Sequence, residues 1–231
     1  MTRVRRYFNT EGACRPEEHY MVALDTRLEW IKTMLVDRKK YFVINKGRQF
    51  GKTTTLKALA KYLATDYVIF SLDFQKMGTI TFGDETTFSK GFIDKLLAAL
   101  RRAASENEKM LQVMLSDFKD NNSNVIMDDL FAFLSSMCER SSRPVVLMID
   151  EVDSASNNQV FIDFLAQLRA YYLDRDETPT FHSVILAGVY DIKNLKLKLR
   201  AESEHQYNSP WNIAADFDVD MSFSMSQIAG M

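Results

Sequence analysis

Four short apolar runs and several stretches of helical periodicity organise this chain. Tyr41 to Asn45, Tyr67 to Leu72, Val145 to Ile149 and Ser183 to Ala187 are nearly uninterrupted apolar runs of strand length. Runs of that kind predict strands buried on both faces of a parallel sheet, where neither side chain direction meets water. Between them, apolar residues recur three and four positions apart. Leu56, Leu59, Ala60 and Leu63 predict a helix over 52 to 62, and Phe88, Phe92, Ile93, Leu96, Leu97 and Leu100 predict a second. A third spans about 126 to 139, and Val160, Phe161, Phe164, Leu165, Leu168 and Tyr172 mark a fourth. Further helices are expected over 26 to 39 and 192 to 199. Residues 101 to 109 are mostly charged and polar, and Asp120 to Asn124 reads as a break. Strands alternating with helices imply an α/β fold with a mainly parallel sheet in three layers, α/β/α.

Composition narrows the class. With 231 residues and 46% hydrophobic content, the chain can bury one large core. The 29 basic and 31 acidic residues nearly cancel, which argues against a surface built throughout for nucleic acid; a local basic patch stays open, and nothing in the chain supports one. No run has membrane-spanning length, and no apolar segment follows Arg3, Arg5 and Arg6 to make a leader. Two cysteines, Cys14 and Cys138, fit a reducing, cytoplasmic setting, with Cys138 on an apolar helical stripe as a core thiol. His19, His182 and His205 lack partners at ligand spacing, so no transition-metal site is assigned.

The candidate chemistry sits at two strand ends. Gly47-Arg48-Gln49-Phe50-Gly51-Lys52-Thr53 joins the first strand to the first crossover helix. A glycine-bearing turn running into Gly-Lys-Thr at a helix start is a phosphate cradle: backbone N–H groups through Thr54 and the positive helix end face the anion. Lys52 reaches the outer phosphates and the Thr53 hydroxyl holds Mg²⁺. Lys46 stands where the pattern GxxxxGK[ST] has its first glycine, and Gly47 is expected to absorb the turn instead. About a hundred residues on, Val145 to Ile149 ends in Asp150-Glu151. Carboxylates there need a cation, and ligands of open α/β sheets bind along that edge. Asp150 fits a Mg²⁺ carboxylate and Glu151 the base that takes a proton from attacking water. The plain alternative is an exposed strand end whose Asp153 or Ser154 caps the next helix.

These segments, with Ser71-Leu-Asp-Phe74 and Ser183 to Ile192, resemble bacterial AAA-like ATPases of the additional-strand, catalytic-glutamate branch of P-loop proteins, related to archaeal-type and signalling ATPases. The resemblance implies ATP as ligand, Walker A roles for Lys52 and Thr53, and Walker B roles for Asp150 and Glu151. It divides the chain into a lead-in over 1 to 40, an ATPase core over 41 to 224, whose last strand would be Phe217 to Phe223, and the first turn of a helical lid over 225 to 231. A lid beginning near Gln227 would leave the base end of the pocket open, with weak ATP binding as the consequence. The fourth strand ends in Ala187-Gly188-Val189 where relatives carry a polar γ-phosphate sensor; Tyr190 and Asp191 are the nearest polar residues. Arg200 ends the next helix, where AAA-type assemblies place an arginine finger, although Lys193, Lys196, Lys198 and Arg200 also make an ordinary solvated face. Arg169 is a second candidate. The function expected is a Mg²⁺-dependent ATPase module that switches conformation or assembly, acting on itself or on an effector domain beyond this chain. A nucleotide-binding scaffold with little turnover is the alternative. A small-molecule kinase is disfavoured because Glu151 beside Asp150 would waste ATP on water.

Overall fold

The computed structural model describes residues 6–101, 105–189 and 211–230. Four strands, β1 (Phe42–Asn45), β2 (Val68–Asp73), β3 (Val145–Asp150) and β4 (Ser183–Gly188), form one sheet in the order β1-β4-β3-β2, and every pair is parallel. β3 and β4 are buried at every position, as their unbroken apolar runs predict for strands inside a sheet. The helices are α1 (Asp25–Ile31), α2 (Lys52–Leu63), α3 (Glu85–Ala99), α4 (Glu106–Asn121), α5 (Met127–Arg140), α6 (Gln159–Leu173) and α7 (Met225–Ala229).

The sheet has a core on each face, which makes the three layers. On one face Val43, Phe70, Leu147, Ile149 and Leu186 meet the apolar stripes of α3 to α6. On the other, Phe42, Ile44, Val146, Met148 and Ile185 meet α1 and α2. The first core is rich in rings: Phe164 packs against Phe88, Phe92 and Phe131 with centroids 5.0 to 5.5 Å apart. Phe164 is fully buried, so Phe164→Ala should lower the unfolding free energy by about 3–5 kcal/mol. A urea midpoint that stays put would show that the ring cluster is not what holds this face.

Three elements differ from the sequence reading. α4 begins within the stretch read as polar, 101 to 109, and runs on to Asn121; a capping box, Ser105 with Glu108, starts it, and only Leu111 and Leu115 along it are fully buried, so its apolar stripe is thin. The helix read over 26 to 39 is α1 continued by a π-helical turn, Lys32–Val36, with the Asp37 N–H donating to the Lys32 carbonyl. The last strand, read over 217 to 223, does not form a ladder. A single parallel bridge joins Ala215 to Phe42, and Phe217, Val219 and Met221 alternate inward from there. Phe217 stacks on Phe42 at 5.9 Å. Side chain burial holds this segment beside β1, with strand periodicity but almost none of the backbone pairing. The helix expected over 192 to 199 lies outside the described residues.

Candidate nucleotide site

β1 and β3 deliver the two motifs to the same edge of the sheet. After Asn45 the chain turns into α2, whose N-cap is Gly51 at φ 74°, with no side chain capping the helix. The first-turn N–H groups therefore have no capping partner and face outward, as an anion requires. Gln49 also adopts a left-handed conformation, φ 65°. Gly47 does not, so the expected compensation for Lys46 is corrected: Gln49 and Gly51 make the turn. Gly47 matters for space, because a Cβ there would meet the Phe50 ring at 3.3 Å. The Gly47 carbonyl also accepts from Lys52 Nζ at 3.1 Å, and the Lys46 carbonyl accepts from the same ammonium at 2.9 Å. Lys52 is buried, so those two carbonyls replace the water that its charge would otherwise hold.

At the end of β3, Asp150 is buried and its Oδ1 accepts from the Glu151 N–H at 2.9 Å. Glu151 is left-handed, φ 55°, which turns the chain off the strand axis and brings Glu151 to the wall of the cavity. A left-handed glutamate costs on the order of 1–2 kcal/mol, a strain that functional positions retain. Burial pushes the Glu151 carboxyl above its ordinary value, and Asp150, Asp153 and Asp73 push the same way, while Lys52 opposes them. Lys52, Thr53, Glu151 and Asp153 line one cavity of about 830 Å³, well within the range for a nucleotide-sized ligand.

The sequence reading missed several walls of this cavity. Asn9, Thr10, Gly12 and Cys14 contribute from the N-terminal segment, which the Cys14 N–H pins to α2 by donating to Thr54 Oγ1 at 3.1 Å. Backbone contacts of that kind leave no signature in side chain patterning. Gln75 enters from the turn after β2, and the rule that ligands sit at the carboxyl edge of a parallel sheet could have found it. Asp153 stands where the polar sensor was sought: Asp153 Oδ2 accepts from the Val189 N–H at the tip of β4. A Cβ on Gly188 would meet Asp153 Oδ1 at 2.9 Å, so the glycine lets the carboxylate come close. Tyr190, Asp191 and Arg200 lie outside the described residues. Arg169 is on α6, where its Nε donates to Asn212 Oδ1 at 2.7 Å, and it lines neither cavity at this edge.

A second, largely apolar cavity of about 460 Å³ adjoins the first and shares Cys14, Arg48, Gln49, Gly51 and Thr54 with it. Its other walls come from the two ends of the chain, including Tyr20, Val22, Met221 and Phe223, with Phe50 between them. The C-terminal segment thus supplies part of the wall of this second cavity.

Residues 30–229 match the model of the AAA-like domain family. The chain belongs to that family. The assignment makes this AAA-like domain a P-loop protein of nucleotide-binding, ATPase-like kind. Among solved structures it is similar to the Walker-type ATPase PABY2304 of Pyrococcus abyssi, at 15% identity and a TM-score of 0.49, over 81% of this chain and 50% of that one. The chain therefore spans half the length of that structure. No curated protein matches it.

Elsewhere the AAA-like domain gives its other titratable groups structural work. Cys138 packs against the core and burial pushes its thiol far up, which makes it a poor nucleophile. His19 is buried, with Nδ1 accepting from the Arg15 N–H at 2.9 Å, and burial holds His182 below its usual value. Among the described residues no three His, Cys, Asp or Glu side chains gather as a metal site, and no helix is long and apolar enough to cross a membrane. Thr53 and Asp150 carry hard oxygen donors of the kind Mg²⁺ prefers; Thr53 lines the larger cavity, whereas Asp150 is buried and is not among its lining residues.

Proposed function

We propose that this AAA-like domain binds ATP with Mg²⁺ and hydrolyses it, using the cycle to switch conformation or assembly. One observation carries the reading: Lys52 and Thr53 from the α2 start and Glu151 from the β3 end line the same cavity. The α2 N–H groups and Lys52 take the phosphates, and the adjoining apolar cavity takes the base. Binding would require Lys52 to exchange its two carbonyl partners for phosphate oxygens, trading neutral acceptors for charged ones. Thr53 and Asp150 would hold Mg²⁺, which neutralises charge on the transferring phosphoryl group. Glu151 orients water and accepts its proton. The apolar Ala187-Gly188-Val189 tip favours the second reading, a nucleotide-binding scaffold with slow turnover. Calorimetric titration with ATP and Mg²⁺, followed by phosphate release over time, tests both. Binding without release supports the scaffold, and no binding overturns both readings.

The raised carboxyl of Glu151 sets a pH dependence. A base works only when ionised, so the acid limb of turnover should fall at a pH above 4.5, the ordinary value for glutamate. Activity should be full well above that limb and lost as pH falls through it. A pH–rate profile checks this; a limb at or below 4.5 would remove Glu151 from the base role.

A further inference from the structure

The apolar cavity is closed on one side by residues that no motif predicts. Met221, Ser222 and Phe223 form that side, and they lack the ladder that would fix a strand. Another contact holds them. Arg27 on α1 donates from Nη2 to the Ser222 carbonyl at 3.1 Å, and its guanidinium lies over the Phe223 ring, 5.3 Å from the centroid. Asp220 supports the same turn: its carboxylate accepts from both the N–H and the hydroxyl of Ser222 and attracts Arg27. Arg27 itself lines the cavity, so the residue that holds the wall also faces the space inside. Phe50, 50% exposed, and Phe223, 46% exposed, both have free ring area with which to cover a planar ligand.

We propose that Arg27 is the positioning residue for the base of the bound nucleotide, latching residues 221–223 to α1 so that Phe223 stands as a fixed wall. The inference rests on the nucleotide reading above and adds what completes the base end of that site. A guanidinium suits the task because one planar group can donate to a carbonyl along its edge while stacking on a ring with its face. Without it, the turn beyond the buried Met221 must pay the ordering entropy of its wall when ligand arrives. The latch also ties the far C-terminal turn to α1, so a base in the cavity is felt by whatever chain follows residue 224.

The test separates the base from the phosphates. Calorimetry with Mg²⁺ compares ATP and inorganic tripolyphosphate, which has no base, on the unaltered chain, Arg27→Ala and Arg27→Lys. Arg27→Ala should weaken ATP about tenfold while tripolyphosphate stays unchanged, and Arg27→Lys, which keeps a charge but not the planar group that donates and stacks at once, should recover only part of the loss. Phe223→Ala removes the wall at a half-exposed position and should show the same split, even if Arg27→Ala folds poorly. Equal loss of both probes, or ATP binding untouched by either alanine, overturns the latch alone. Failure of the unaltered chain to bind either probe overturns the phosphate cradle and the latch with it.

Discussion

Lys52→Ala should weaken ATP binding by about a hundredfold or more, the cost of removing one partner from a buried, charge-assisted contact. Lys52 is 7% exposed, and the carbonyls of Lys46 and Gly47 converge on its ammonium. Alanine removes the cation and leaves the loop's negative carbonyl ends facing the space that phosphates would enter, so attraction is replaced by repulsion. Thr53 and the α2 N–H groups remain, which is why residual binding is expected at high ATP. Circular dichroism and a thermal melt of the variant distinguish lost affinity from lost fold. An unchanged Kd in a folded variant would show that phosphates do not bind at this loop.

Glu151→Gln should retain ATP binding and lose about a hundredfold or more in turnover, since an amide can hold water but cannot accept its proton. The same change has a second, opposite consequence for the fold. The carboxyl is raised in the folded chain by burial and by Asp150, Asp153 and Asp73. A group raised on folding favours the folded state fully below its unfolded value, and that contribution is lost as pH rises through the folded one. Above that window the ionised Glu151 is a burden, and glutamine relieves it. The variant should therefore melt higher than the unaltered chain at pH 7 to 8, with the gap closing toward pH 4. A variant that turns over normally would assign the base elsewhere, and one that melts lower throughout would mean Glu151 holds the turn by a contact other than charge.

The sheet was legible because β3 and β4 are buried at every position and β1 and β2 at half of theirs or more, and that burial writes four nearly uninterrupted apolar runs. That Gly47 to Thr53 and Asp150-Glu151 would meet at one edge was legible for a different reason: each directly follows a strand, and strands of a parallel sheet end along the same edge. α4 escaped because few of its residues are fully buried, so charge outweighed periodicity in its composition. The tail from Phe217 to Met221 carries strand alternation without strand pairing, and periodicity alone cannot tell the two apart. The second, apolar cavity was illegible altogether. It is assembled from Tyr20 and Val22 near one terminus and Met221 and Phe223 near the other, and only tertiary packing brings them together.

The order β1-β4-β3-β2 places exactly one strand between the strand that carries the loop and the strand that carries the carboxylates. Neighbouring strands lie about 4.8 Å apart, so the two motifs are spaced by roughly 10 Å, a gap in which a phosphate chain and a hydrated cation fit. That gauge is set by the backbone hydrogen bonds of β4 with both neighbours, and no side chain lining the cavity defines it. Substitutions at Lys52, Thr53, Asp150 or Glu151 can thus alter charge and proton transfer while the width between the two walls is kept. Widening or narrowing it would mean breaking the middle of the sheet, and with it the fold.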